Sequence, residues 1–426
     1  MTRPEPLDPG RRHAFIGGLC LTVAIQFAGS RAFADSLGAH GRRKLVVIVC
    51  RGGLDGLSLS PPVGDPDYAA LRGLIAIAPF GQPGGALPLD GTFGLHPAMP
   101  AVHKLALAGQ ARIAPAVATP DRERSHFEAQ DVLESGAAVV YGTSSGWLNR
   151  SLQAMGGKAR AISIGPTAPL ILRGKIEAAS WSPGGGAERD SRLPGILQDL
   201  YAADPLLGPA LASGLATRSM AKLATADAAA LAGAPVTVSQ TGVGGAALKP
   251  VLSQGLPQAR TLGATLAAFM TQPEGKQVAA VSIDNFDTHA SQGAAHGQLA
   301  TRLAYVDAFL DGLATGLGPA WSDTVVVMAT EFGRTARLNG TAGTDHGTAS
   351  TALLLGGALK KGGIVGDWPT LAQNRLYENR DTAPTLDMRG LFKGVLRDHM
   401  GIERAKLDTL VFPGSASVAP VGGIVA

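Results

Sequence analysis

Lys44–Cys50 is, after its lysine, a continuous apolar and mostly β-branched run that leads into Arg51-Gly52-Gly53. A strand with one wet face alternates apolar and polar residues, whereas one covered on both faces does not, so this run predicts a buried parallel strand. Ala111–Val117, Val278–Ile283 and Thr324–Ala329 read as further strands. Between the last two, Leu299, Leu303, Val306, Phe309, Leu310, Leu313 and Leu317 recur at helical spacing. Strand, helix and strand in succession predict an α/β fold: a doubly wound, mainly parallel sheet with helices on both faces. Ligands of such sheets bind beyond the C-terminal ends of the strands, which directs attention to the loops there.

The pattern fades between residues 151 and 255. This stretch is rich in Ala, Gly and Pro, with Ser182-Pro183-Gly184-Gly185-Gly186 as a chain breaker and an Ala-rich helical run over Leu207–Leu231. It predicts a cap or helical insertion within an α/β domain spanning 35–426. Residues 1–34 follow another logic: a basic segment ending in Arg11-Arg12, a short apolar run over Phe15–Ile25, and Ala32-Phe33-Ala34 before Asp35. That order predicts a cleaved twin-arginine signal peptide, which places the mature chain in the periplasm or outside the cell and makes the twin-arginine translocase its partner in export. The apolar run falls short of the about 20 residues a span needs, and Arg31 interrupts its end, so no stable membrane span is expected.

Cleavage after Ala34 removes Arg3, Arg11, Arg12 and Arg31 with Glu5 and Asp8, leaving 33 basic against 31 acidic residues, a net charge of +2. So even a balance, with the basic residues scattered, excludes a nucleic-acid binder. Cys50 is the only cysteine left, which excludes an intrachain disulfide.

The candidate chemistry lies just after the predicted strands. Gly343-Thr344-Asp345-His346-Gly347 follows the strand ending at Ala329 and can present a carboxylate and an imidazole to a divalent ion, or simply form a turn. Asp287 and His289, one residue apart after the strand ending at Ile283, make a second ligand pair, and Asp55 within Arg51–Gly56 offers a third carboxylate. Ser125 and Glu128 match a capping box, which puts the serine hydroxyl at a helix N-terminus either as a plain cap or as a nucleophile in a field that favours anions. Arg124 and His126 crowd the same end, and His96 is a further candidate.

The segments Arg51–Leu57, Phe93–Pro97, Arg124–Asp131, Gly146–Arg150, Asp287–His289, Glu331–Thr335, Asn339-Gly340, Thr344–Gly347 and Gly366–Pro369 run in order along the mature chain. Together they resemble the domain of unknown function 1501 family, which in turn is similar to a remote branch of the alkaline phosphatase and sulfatase superfamily. The resemblance implies a metal site formed by Asp55, Asp287, His289, Asp345 and His346, with Ser125 as nucleophile. Thr348–Thr351 stand where relatives carry further histidines or an aromatic residue, which implies a second metal held weakly or not at all. Glu331 and Arg334 have no counterpart in phosphatases, which implies a reaction that departs from theirs.

The expectation is therefore an exported metal-dependent hydrolase of phosphate or sulfate esters, acting on a small anionic ester or a polymer end. Ser125, Arg124, Arg334 and Glu331 are its catalytic candidates, with the two arginines neutralising the transferred group. Zinc suits the Asp/His donor set best, with manganese, magnesium or calcium also compatible. The rival reading is a non-catalytic, metal-stabilised periplasmic binding protein that works with an exported partner.

Overall fold

Lys44–Cys50 folds as β1, buried along nearly its whole length as its unbroken apolar run requires. The computed structural model describes residues 42–157, 159–165, 169–183, 255–272 and 275–426, with Gly214 singly. The expected signal peptide lies outside the described residues, as does the expected helix over 207–231 apart from Gly214. The later strands are β2 (Leu87–Pro88), β3 (Gly94–Leu95), β4 (Ala111–Ala118), β5 (Ala161–Ile164), β6 (Ala178–Trp181), β7 (Val278–Ile283), β8 (Thr324–Ala329), β9 (Ser350–Leu355) and β10 (Leu386–Asp387).

Eight of them form one sheet in the order β10-β4-β9-β8-β1-β7-β5-β6, while β2 and β3 pair by themselves. Within the large sheet only β9 runs antiparallel, against β4 and β8. The class is the expected α/β one. One expectation is corrected: β5 and β6 fall inside the stretch read as a cap, so residues 161–181 supply strands to the main sheet. Each is four residues long, too short to show a period in sequence.

Alternate residues of β1 divide between two cores. Val46, Ile48 and Cys50 pack with Leu266 and Phe269 of the helix Gly255–Thr271 and with Leu303 and Phe309 of the helix Gln298–Leu317. Leu45, Val47 and Val49 pack on the other face with the helices Trp147–Ala154 and Met388–Asp398. Helices on both faces seal the strands from water, so what remains accessible of the parallel strands is their ends. Among the described residues, no helix is long and apolar enough to cross a membrane.

Trp147 anchors the second core. It is 1% exposed, stacks on Phe392 with ring centroids 4.6 Å apart, and donates its indole N–H to the Leu133 carbonyl at 3.1 Å. Trp147→Ala should cost about 3–5 kcal/mol. The check is a urea titration, in which the midpoint falls while the slope is unchanged; a loss below about 1 kcal/mol would show that this core is held elsewhere.

Candidate metal centre

The loops after β1, β7 and β8 meet at one end of the sheet, beside the start of β9. Gly52 makes the meeting close. Its φ is +108°, and a Cβ there would lie 2.7 Å from the Asp287 nitrogen and 2.9 Å from the Phe286 nitrogen. Only glycine fits that conformation and that approach.

Glu331, just past β8 and 1% exposed, is the internal hub. Its Oε1 accepts hydrogen bonds from the Gly52 and Gly53 amides at 2.7 and 3.1 Å, and its Oε2 accepts from the Thr330 hydroxyl at 2.8 Å. Oε1 also faces His126 Nδ1 at 2.9 Å. Burial alone would raise the Glu331 carboxyl, but the hydrogen bond from His126 and the surrounding donors outweigh it and hold the group below its ordinary range.

His126 opens α1, the helix His126–Ser135. With Nδ1 donating to Glu331, its Nε2 is left buried with no hydrogen-bond partner and faces Asp287 Oδ2 at 3.4 Å. His346 is fixed by the same logic. Its Nδ1 donates to the Arg124 carbonyl at 2.8 Å, which leaves Nε2 3.2 Å from Asp287 Oδ1 and 3.0 Å from His289 Nε2. Asp287 is held below the usual carboxylate range: burial pushes it up, but the Arg334 guanidinium beside it prevails.

His126, Asp287 and His346 offer three ligand atoms that all lie within 4.8 Å of one another. A zinc ion about 2.0–2.1 Å from each nitrogen draws tetrahedral ligand atoms to about 3.4 Å of one another, so the three side chains need only close up slightly to share one ion. The donor chemistry also fits. A histidine ligand hands its second N–H to a carboxylate or a carbonyl, which Glu331 and Arg124 supply, and an orphaned buried nitrogen gains a partner. His289 adds to the case. Its Nε2 lies 3.0 Å from both His346 Nε2 and Asp287 Oδ1, and its Nδ1 lies 3.3 Å from Asp345 Oδ1. Its two ring nitrogens thus face three acceptor atoms, a setting that a bound cation would satisfy.

Several expected roles are corrected. Asp55 lies elsewhere: its carboxylate caps the turn Gly56–Leu59, accepts from Ser58 Oγ at 2.9 Å and Gln292 Nε2 at 2.6 Å, and pairs with buried Arg72. Those partners fill its acceptor sites, so it is a structural ion pair rather than a ligand. Asp345 Oδ1 accepts from Asn339 Nδ2 at 3.0 Å and faces His289 Nδ1, so it orients His289 from outside. Arg334, 1% exposed, gives its donors to the carbonyls of Gly52, Gly53, Thr344 and Phe286 and to Asp287; it ties loops together and has no free face for a substrate.

Arg124 is spent on Asp381, Glu378 and Thr348. Buried His96 bonds the Ala294 carbonyl and the Ala98 amide, a structural role. Ser125 is the N-cap of α1 as expected, but its hydroxyl makes no capping bond, so the capping box with Glu128 is not formed. It sits between Arg124, whose carbonyl holds His346, and His126. Sequence reasoning ranked His126 below Asp55; the signal that separates them is the buried carboxylate of Glu331, which no local pattern reveals.

An α/β protein with an Asp/His centre at the C-terminal ends of its parallel strands is the class that this fold and site define. The chain belongs to the family described as "Protein of unknown function (DUF1501)", whose model matches residues 42–411. No curated protein matches it by sequence. Similar solved structures include the lipoteichoic acid synthase LtaP from Listeria monocytogenes, 8% identical with a TM-score of 0.41 over 91% of this chain and 78% of that one. A protein in the alkaline phosphatase superfamily from Vibrio parahaemolyticus is 11% identical with a TM-score of 0.35, over 77% of this chain and 63% of that one. This chain thus spans under two thirds of the Vibrio protein. The C-terminal periplasmic domain of EcEptC from Escherichia coli, in complex with Zn, is 11% identical with a TM-score of 0.31, over 74% and 72%. Likeness at this level leaves the chemistry of the site to its own side chains.

Two substitutions separate ligand support from scaffold. Glu331→Gln should weaken zinc binding about 10–100-fold, measured by competition with a chromophoric chelator. Asp55→Asn, which leaves Arg72 buried without its counter-charge, should cost about 3–5 kcal/mol of stability yet leave the zinc stoichiometry of the folded protein unchanged. Loss of zinc in Asp55→Asn at temperatures where it stays folded would return Asp55 to the ligand set.

Proposed function

We propose that the protein is an exported, metal-dependent hydrolase of phosphate or sulfate esters, acting on a small anionic ester or the anionic end of a polymer. The observation that carries the reading is the buried, unpartnered Nε2 of His126, held by Glu331 towards Asp287 and His346. His126, Asp287 and His346 would hold zinc, with His289 at the edge of the set; manganese is the second choice, and calcium or magnesium suit so nitrogen-rich a set less well. A divalent cation there supplies Lewis acidity towards the non-bridging oxygens of the ester.

Ser125 is the proposed nucleophile. Its hydroxyl is free of capping duty, and the residue stands at the N-terminus of the ten-residue helix α1, whose first-turn amides favour an anion. Attack of Ser125 Oγ on phosphorus or sulfur would release the alcohol, and water would then free the bound phosphate or sulfate. Because Arg124 and Arg334 are committed inside the fold, neutralisation of the transferred group falls to the helix terminus and the cation. That same commitment is what favours the rival, a metal-stabilised binding protein with an exported partner.

The test combines elemental analysis of the mature protein with a screen of phosphate and sulfate esters. The reading expects about one equivalent of metal that is lost in His126→Ala, and hydrolysis that drops on the order of 1,000-fold or more in Ser125→Ala while the metal stays. Metal bound by the wild type and lost in His126→Ala, with no hydrolysis of any ester, would favour the binding protein; no metal in the folded wild type would sink both readings.

A further inference from the structure

Arg124 adopts φ +58°, a left-handed conformation that side-chain-bearing residues rarely take and that clusters where surrounding structure enforces it. The consequence here is local: it directs the Arg124 carbonyl at His346 Nδ1, 2.8 Å away. What enforces it comes from a distant part of the chain. Asp381, fully buried, accepts from Arg124 Nε at 3.1 Å and from Thr348 Oγ1 at 2.9 Å, and Arg124 Nη2 also reaches Thr348 Oγ1 at 3.3 Å.

The neighbouring Arg380 donates from Nη2 to the His346 carbonyl at 2.7 Å. The pair is presented by a tight turn in which Glu378 and Asn379 have φ of 54° and 55° and the Arg380 amide returns to the Tyr377 carbonyl at 3.0 Å. Two consecutive left-handed residues make a turn of the I′ type, which gives the two side chains little freedom. The Ala336 amide, just beyond Arg334, bonds the Arg380 carbonyl at 3.0 Å and docks the turn against the centre.

We propose that Arg380 and Asp381 are positioning residues for the metal centre: Asp381 locks Arg124 so that its carbonyl fixes the Nδ1–H tautomer of His346, while Arg380 holds the His346 backbone. This rests on the reading of His346 as a ligand. Its logic is that of a histidine whose outer hydrogen bond decides which ring nitrogen is left to bind. The carboxylate of Asp381 thus acts on the centre through the backbone of another residue.

Nitrogen-15 NMR of histidine-labelled, metal-free protein at fixed neutral pH reads the His346 tautomer directly, and chelator competition reads zinc affinity. The wild type should show the Nδ1–H form. Asp381→Asn should give mixed tautomers and zinc binding about 10–100-fold weaker. Arg124→Gly, whose backbone accepts φ +58° without being held there, should do the same, and the double variant no more, since both break one chain of contacts. Glu378→Gln, which alters only the exposed partner of Arg124, should change affinity by no more than about threefold.

An unchanged tautomer and affinity in folded Asp381→Asn, or in Arg124→Gly should the first variant not fold, would overturn the proposal. A wild type that binds neither zinc nor manganese would sink the hydrolase reading, while the tautomer comparison would still decide whether Asp381 and Arg124 fix the ring of His346.

Discussion

The site depends on one buried charge. Glu331 sits on the end of β8 with its carboxylate out of water, and that is tolerable only because the Gly52 and Gly53 amides, the Thr330 hydroxyl and His126 all converge on it. Each donor belongs to a different constraint. The glycines fix the loop after β1 in a conformation no other residue would accept, Gly52 so close to Phe286 and Asp287 and Gly53 so close to Phe332. His126 fixes the start of α1, and with it Ser125. A single carboxylate therefore aligns the ends of β1 and β8 with the helix that carries the proposed nucleophile, and it decides which nitrogen of His126 is free to bind.

Charge in this protein is used mostly for alignment. Arg334 spends its guanidinium on four carbonyls and Asp287, Arg72 neutralises Asp55 beneath the site, and Arg124 is consumed by Asp381 and Glu378. A buried guanidinium tied at several points is a rigid cross-brace, and breaking one leaves an uncompensated charge. What remains exposed to solvent at the centre is Asp287, His289 and Asp345, each about half exposed. Rigid walls around a few accessible polar side chains are what a preorganised centre requires.

The sheet was legible because both-face burial writes itself as continuous apolar runs: β1, β7 and β8 are read to the residue from Lys44–Cys50, Val278–Ile283 and Thr324–Ala329. Strands of four residues such as β5 leave no such trace, and β9 opens on Ser350 and Thr351, which leaves only Ala352–Leu355 as an apolar run. For the centre, local spacing singled out Asp287, His289, Asp345 and His346, which the fold does bring together. It could not rank them. Asp55 and His126 each follow a strand by a few residues; which of them faces the cluster depends on Arg72 and Glu331, partners 17 and 205 residues away along the chain. Tertiary partners of that kind are outside the reach of periodicity.

One cation is proposed to bind between His126, Asp287 and His346. Anomalous scattering at the zinc edge from crystals of the zinc-loaded protein tests it most directly. One strong peak is expected about 2.0–2.2 Å from His126 Nε2, His346 Nε2 and an Asp287 oxygen. A peak centred on Asp55, or none beside His126 in protein that retains zinc, would contradict it.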